Sequence, residues 1–474
     1  MSTQTQSDVL IVGAGLAGLA AAVALSGAGA NVALLERKPY VGGRAYSYPH
    51  PALDEVIDSQ HVLLGCCTNL VDLCKLSGAD KHIRWYDNIT FLEPGTPPQR
   101  SNIGAGFLPA PGHSSLSFLR APMLSVADKS CIAFGLMDFM RGYPATDAEA
   151  FSQWLTRTRQ TERAIRHFWE PVIVGALNDS FDRCSTRYAG QVFYESFLKS
   201  AEGGRLGIPT QPMSEFYAAV AALAEQQGTA MHLRTSIDNI ARLRDGSWQA
   251  AAADGSLHNA PQIILALPFE QTARLINTLP EQNRSSLALD FSRFIHAPIT
   301  TVHLWFDREI TSLDHAAFLD TRIQWVFNKT RIRRDEPGAA EEKGQYLELV
   351  ISASFVELQM TREQILSSAL EELARFFPAV REATLLKSGV LKEARATFSV
   401  VPGLDRYRPE AATDLPGLYL ASDWTRTGWP STMEGAVRSG RLAAEAVALA
   451  TGNQIKFLSP DLPASGLMRF LIRK

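Results

Sequence analysis

Much that would mark a secreted, membrane-spanning or nucleic-acid-binding protein is missing from this chain. Cysteine is scarce and scattered: Cys66, Cys67, Cys74, Cys131 and Cys184 are the five in 474 residues. An odd number without a CxxC pair gives no disulfide framework and no thiolate metal site, so a reducing compartment and no metal are expected. No uninterrupted apolar run reaches the roughly 20 residues of a spanning helix. The opening residues MSTQTQSD are polar and lack the apolar core of a secretion signal. Net charge is only −3, too little for a field that gathers polyanions, so no nucleic-acid partner is expected. The one basic cluster, Lys329, Arg331, Arg333 and Arg334, is followed by Asp335, Glu336, Glu341 and Glu342 and reads as a solvated loop.

What is there begins at Asp8. The run Asp8 to Val12 is short, apolar and β-branched, like a strand buried on both faces. Gly13-Ala14-Gly15-Leu16-Ala17-Gly18 follows, then an alanine-rich helix to about Gly29, and a second strand pattern ending at Glu36. In a dinucleotide-binding unit each glycine has its own task. Gly13 allows the tight turn, Gly15 lets backbone approach a pyrophosphate, and Gly18 lets helix and strand pack closely. The helix N-terminus, Leu16 and Ala17 included, offers unpaired N–H groups to phosphate. Glu36, with Arg37 beside it, stands where a ribose-binding acid belongs. Gly42-Gly43-Arg44 then supplies two unhindered amides and a planar guanidinium for a second diphosphate contact. This glycine pair and arginine resemble the amine-oxidase and carotenoid-desaturase group of FAD enzymes.

The length calls for two intimately joined domains. Helical patterns from about Ser115 to Lys199, with Asp147 as a candidate cap, interrupt the α/β start, and Ser214 is a candidate cap for a later helix running to Gln226. Strand patterns return at Met231–Ile237, Trp248–Ala253 and Gln262–Leu267, and a second sheet is expected at Thr300–Phe306, Gln324–Asn328 and Gln345–Ala353. Near the end, a strand carries Asp423 at its C-terminal end, where ligands of open α/β sheets bind. Gly428-Trp429-Pro430 then leads to a helix opened by Ser431 or Thr432. The fold class expected is α/β, α+β overall: a Rossmann-like FAD domain, discontinuous in sequence, with a second domain of mixed sheet and helices. The FAD-binding pieces are placed at residues 1–95, 204–270 and 394–452. A helical insertion is placed at 96–203, a substrate domain at 271–393 and a C-terminal tail at 453–474.

Taken together, Gln60-His61-Val62-Leu63-Leu64-Gly65-Cys66-Cys67, Phe168-Trp169-Glu170-Pro171 with Ala176-Leu177-Asn178, and Gly428-Trp429-Pro430-Ser431-Thr432-Met433 resemble the hydroxysqualene dehydroxylases, within the amine-oxidase/phytoene-desaturase superfamily. The chain has one residue fewer than that group between Asp58 and the Gln60–His61 pair. The resemblance implies FAD held by the residues above, with Ile237 on the adenine side, Asp423 at the ribityl-diphosphate region and the Met433 N–H at the flavin's pyrimidine edge. It places Gln60 and His61 beside the isoalloxazine. It implies reductive removal of an allylic hydroxyl from a lipophilic C30 isoprenoid, giving squalene by hydride transfer to an allylic cation. His61 and then Glu170 are the candidate proton donors, and Trp305, Phe306, Trp325 and Phe327 the candidate cavity wall. A carotenoid desaturase or amine oxidase on the same fold, and a non-catalytic isoprenoid escort, are the alternatives. An electron donor of unidentified kind is implied, and a homo-oligomer is left open. A substrate that partitions into bilayers implies a cytoplasmic protein held peripherally at the inner face of a membrane. The tail Gly466–Lys474, mixing apolar and basic residues, is a candidate anchor.

Overall fold

The computed structural model describes residues 4–51, 53–57, 59–336 and 344–471. Its first layer is a five-stranded parallel sheet in the order Ala230–His232, Val32–Leu35, Val9–Val12, Gln262–Leu265 and Leu418–Leu420. Every residue of Val9–Val12 and Val32–Leu35 is buried, which is why these strands read as continuous apolar runs. Helix Leu16–Gly27 lies on this sheet and against the last long helix, Met433–Ala450. Small residues set that spacing: a Cβ on Gly440 would stand 2.1 Å from the Ala17 carbonyl oxygen. A four-stranded sheet of Gln4–Gln6, Leu257–Ala260, Trp248–Ala252 and Ile237–Arg242 adjoins this layer.

The other large sheet has seven strands, ordered Leu385–Phe398, His296–Phe306, Gln345–Ser352, Trp325–Asn328, His315–Phe318, Asn88–Glu93 and Gln99–Gly104. Its pairs are antiparallel except for His315–Phe318 beside Asn88–Glu93. Helix Arg362–Phe376 covers one face with Ile365, Ala369, Leu373 and Phe376. Asn88–Glu93, counted with the first nucleotide-binding segment on sequence, therefore belongs to the other sheet. Its alternating apolar residues find their partners there.

Between 115 and 198 the chain is helical. Its core is aromatic: Phe139, Phe151, Trp154, Phe168, Trp169 and Phe193 pack ring on ring. Two segments of this insertion, Ile165–Trp169 and Tyr194–Leu198, are π turns.

Four sequence expectations need correction. Ser214 is not a cap, because Pro212 already sits at the N-cap and the helix starts at Met213. Asp147 lies ahead of helix Phe151–Arg157 and accepts a hydrogen bond from the Asp405 N–H instead. The strand expected over 231–237 is broken by Arg234 at φ +57°, so its two ends join different sheets. The basic cluster does not open as a solvated loop. Lys329–Arg333 is a short helix capped by Asn328, and Lys329 itself is fully buried.

Candidate active site

The nucleotide end is built by backbone constraints. Gly13 has φ +105°, and a Cβ there would meet the Ala266 carbonyl oxygen at 2.5 Å. Gly18 is tighter still, with the Gly13 oxygen 1.9 Å from where its Cβ would stand. Gly15 is the helix N-cap and has no side chain to satisfy the first amides, leaving them directed at an anion. Behind it Gly43, at φ +70°, packs back to back with Gly15, its Cβ position 3.1 Å from the Gly15 Cα. The buried carboxylate of Glu36 accepts from the Ala14 and Lys38 N–H groups, each at 2.8 Å. That fixes the acid and leaves lone pairs for ribose hydroxyls.

From the far end of the chain, Asp423 comes to meet this unit. Its carboxylate takes Arg44 Nη2 at 2.5 Å and Ser431 Oγ at 2.5 Å, with Ser422 Oγ at 2.9 Å. Burial alone would raise this carboxyl, but Arg44 and the two serines hold it below its ordinary value. Arg408, itself buried, ties down the following loop through the carbonyls of Asp423, Thr425 and Trp429 at 3.0, 2.6 and 2.8 Å. Thr432, not Ser431, is the cap: its Oγ accepts the Gly435 N–H. Met433 is thus the first residue of the helix, where amides have no intrahelical acceptor. The buried Glu434 turns away to cap helix Thr68–Ser77, accepting from Asn69 and Leu70 N–H at 3.2 and 2.8 Å.

These elements enclose one cavity of about 1140 Å³. Gly13, Gly15, Leu16 and Ala17 border it, as do Glu36, Arg37, Gly42, Gly43 and Arg44. Ile237, Asp423, Ser431, Thr432 and Met433 border it as well, with Gln60 and His61. Gly18 stands behind the wall, against Gly13. The void continues into an apolar chamber walled by Ile89, Phe91, Val172, Trp325, Phe327 and Val350.

A family model described as flavin-containing amine oxidoreductase matches residues 16–448. The chain belongs to the flavin-containing amine oxidoreductase family. Among curated relatives it is 26% identical to the chloroplastic/chromoplastic 15-cis-phytoene desaturase of Solanum lycopersicum, over 93% of this chain and 77% of that one. It is also 26% identical to the zeta-carotene desaturase of Synechocystis sp., over 93% and 96%. In fold it is similar to putrescine oxidase bound to putrescine, with a TM-score of 0.70 at 18% identity, covering 94% and 100%. FAD is the cofactor of this flavin family, and the glycine cradle, the open helix N-terminus and the Arg44–Asp423 pair fit its diphosphate. Bound there, FAD supplies hydride exchange; the chain supplies aim and dryness.

Other sequence candidates are separated by the geometry. Glu170 is exposed and lies off the cavity wall; partial desolvation raises its carboxyl somewhat, against the nearby Arg166. Trp305 stacks on Tyr346 and Phe306 packs in a core cluster, so neither lines the chamber, whereas Trp325 and Phe327 do. His61 has its Nδ1 2.7 Å from the Ser59 carbonyl oxygen, so that nitrogen carries the hydrogen when the bond is made. Asp58 lies outside the described residues. Glu93, His167 and Asp320 bring ligand atoms within 4.8 Å of one another, but Arg163 and Arg166 already pair with the two carboxylates.

Two groups beside the cavity have no motif to announce them. Gln60 is gripped by a buried ion pair, its N–H donating to Glu348 Oε1 at 2.6 Å and its Oε1 accepting from Lys329 Nζ at 2.6 Å. Helix Thr186–Phe193 and the π turn after it carry the buried Gln191 and Glu195 into the lining. A lysine among solvated neighbours and a glutamate in an amphipathic pattern carry no signal until the partners are in place.

Proposed function

We propose that this flavoenzyme acts on a long isoprenoid and reductively removes an allylic hydroxyl, as in the conversion of hydroxysqualene to squalene. The observation that carries the reading is that one cavity is lined both by the nucleotide cradle and by the apolar side chains Ile89, Phe91, Val172, Trp325, Phe327 and Val350. At about 1140 Å³ it exceeds the usual ~300–1,000 Å³ of a one-ligand pocket. Leaving hydroxide needs a proton at the reacting carbon, and His61, which borders the cavity, is the candidate to supply it. Aromatic faces such as Trp325 and Phe327 stabilise an allylic cation by roughly 0.5–2 kcal/mol each. Supply of squalene places the reaction ahead of a cyclisation of that C30 chain, as in hopanoid formation. The test is product analysis after anaerobic mixing of reduced holoenzyme with hydroxysqualene.

A second reading, a carotenoid desaturase that takes hydride from its substrate, is favoured by the relatives, which are phytoene and zeta-carotene desaturases. It predicts reduction of the oxidised enzyme by phytoene.

The same reading includes peripheral docking on the inner face of a membrane, with the substrate drawn from the bilayer. Among the described residues no helix is long and apolar enough to cross a membrane. Phe107, Val126, Phe134 and Phe470 are 86, 81, 70 and 84% exposed, and apolar side chains gathered on one surface mark a membrane or protein contact. Val126, Phe134 and Met137 share one face of helix Val126–Phe139. Leu119 is joined to this helix by Lys129 Nζ at 2.8 Å. The Leu467 N–H donates to the Ala110 oxygen at 2.8 Å, bringing the tail to the loop that holds Phe107. Met468 is buried in the protein core, so the tail both docks on the protein and presents Leu467 and Phe470 outward. Ile472, Arg473 and Lys474 lie outside the described residues.

A further inference from the structure

Helix Thr186–Phe193 runs directly into the π turn Tyr194–Leu198. A π turn adds a residue to the helical repeat, changes which side chains face inward, and recurs at functional sites. Here Glu195 and Ser196 reach the cavity lining about one turn after Gln191, and all three are buried. Among the described residues Gln191 Oε1 has no hydrogen-bond partner, a condition that folded proteins rarely leave unexplained. Glu195 Oε2 is held by Lys199 Nζ at 2.8 Å; burial raises its carboxyl above the ordinary range, against the opposing pull of Lys199. The turn is braced on the segment that carries Gln60 and His61. Ser196 Oγ lies 3.4 Å from Cys66 Sγ, and the Cys66 N–H donates to the Gly203 oxygen at 3.2 Å.

We propose that Gln191 and Glu195 form the polar pole of the substrate cavity and receive the hydroxyl of an otherwise apolar substrate. The inference rests on the reading that an isoprenoid enters this cavity, and it fixes the class of substrate more narrowly. A hydroxyl both donates and accepts, and the glutamine amide offers one group of each kind. A plain hydrocarbon leaves the Gln191 oxygen without a partner, and sites built for a hydroxyl reject analogues that lack one. An amine is no better served. Lys199 already neutralises Glu195, so the pole carries no free negative charge to draw an ammonium ion out of water. The pole therefore selects a neutral alcohol.

Equilibrium binding to the oxidised holoenzyme tests this, with FAD content checked by absorbance and ligands delivered in nanodiscs. Dissociation constants for hydroxysqualene, squalene and a long-chain alkylamine are read from perturbation of the flavin spectrum. Hydroxysqualene is expected to bind at least about tenfold more tightly than either of the others. Gln191→Met, which keeps side-chain length, is expected to bring the alcohol-to-hydrocarbon ratio close to one with FAD content and squalene binding retained. Gln191→Leu serves as the second variant should the first fail to fold. An undiminished preference for the alcohol in a folded variant overturns the role of Gln191 while leaving the isoprenoid reading standing. Wild-type protein that does not prefer the alcohol to squalene overturns both. Tightest binding of the amine overturns the neutral pole.

Discussion

The Arg44 guanidinium lies 2.5 Å from the Asp423 carboxylate, closing a contact between groups 379 residues apart in the chain. Asp423 is buried while Arg44 keeps some access to water. Removing one partner of a buried pair leaves the other uncompensated. Asp423→Ala is expected to cost about 2–4 kcal/mol, at or just under the range for fully buried pairs because Arg44 is partly solvated. Thermal unfolding and the ratio of flavin to protein absorbance check this; both should fall.

The same carboxyl gives an acid limb. Its folded value is held below the ordinary 3.8, so its contribution is fully present above that value and is lost as pH falls through the lowered one. Stability of the wild type attributable to Asp423 should be flat at neutral pH and decline below about pH 4. In Asp423→Asn that part of the decline should be missing. Denaturant midpoints measured across pH compare the two.

Gly15 and Gly18 look alike in sequence but should fail differently. A Cβ at Gly18 meets the Gly13 oxygen at 1.9 Å, whereas one at Gly15 has no neighbour closer than 3.9 Å. Gly18→Ala is expected to destabilise by about 3 kcal/mol, the upper end of the usual overpacking cost, since backbone stands in the way. Gly15→Ala is expected to fold but to lose FAD affinity, because its methyl takes the place of the approaching diphosphate. Circular dichroism and FAD titration of both variants separate the outcomes.

Among the candidate acids, position decides. Glu170 is exposed and off the cavity, so Glu170→Gln should turn over within about twofold of wild type, as surface changes do. His61 borders the cavity, and His61→Ala should lose about 100-fold in turnover if it handles a proton. Equal, near-normal rates with FAD bound would remove His61 from the chemistry.

For the apolar face, replacing Val126, Phe134 and Met137 together by Asp should weaken binding to anionic liposomes by more than about tenfold, since each large apolar side chain contributes about 1.5–3 kcal/mol when buried. Flotation assays read this, and soluble FAD content should be unchanged.

The nucleotide cradle was legible because each of its features is local: strand, three glycines, helix and Glu36 fall within some thirty residues of chain, and backbone sterics dictate them. Asp423 and Ser431 were legible through the strand that precedes them and the helix that follows. The rest of the site depends on partners far apart in sequence. Lys329 is followed in sequence by Arg334 and Asp335, which do face water, and its burial rests on partners distant in the chain, Gln60 from a loop and Glu348 from strand Gln345–Ser352 among them. Gln191 lies near the end of an ordinary helix and Glu195 in the π turn that follows, which breaks the very periodicity that a helical pattern is read from. Glu170 was named on its neighbours in sequence, whereas the cavity wall takes Pro171 and Val172 from that segment and leaves Glu170 off it.

The direction of hydride flow separates a reductive dehydroxylase from a desaturase. Photoreduced holoenzyme, mixed anaerobically with hydroxysqualene in a single turnover, should regain oxidised flavin absorbance while forming one squalene per flavin. Flavin that stays reduced with hydroxysqualene, together with oxidised enzyme that phytoene bleaches, would show that hydride runs from substrate to flavin instead.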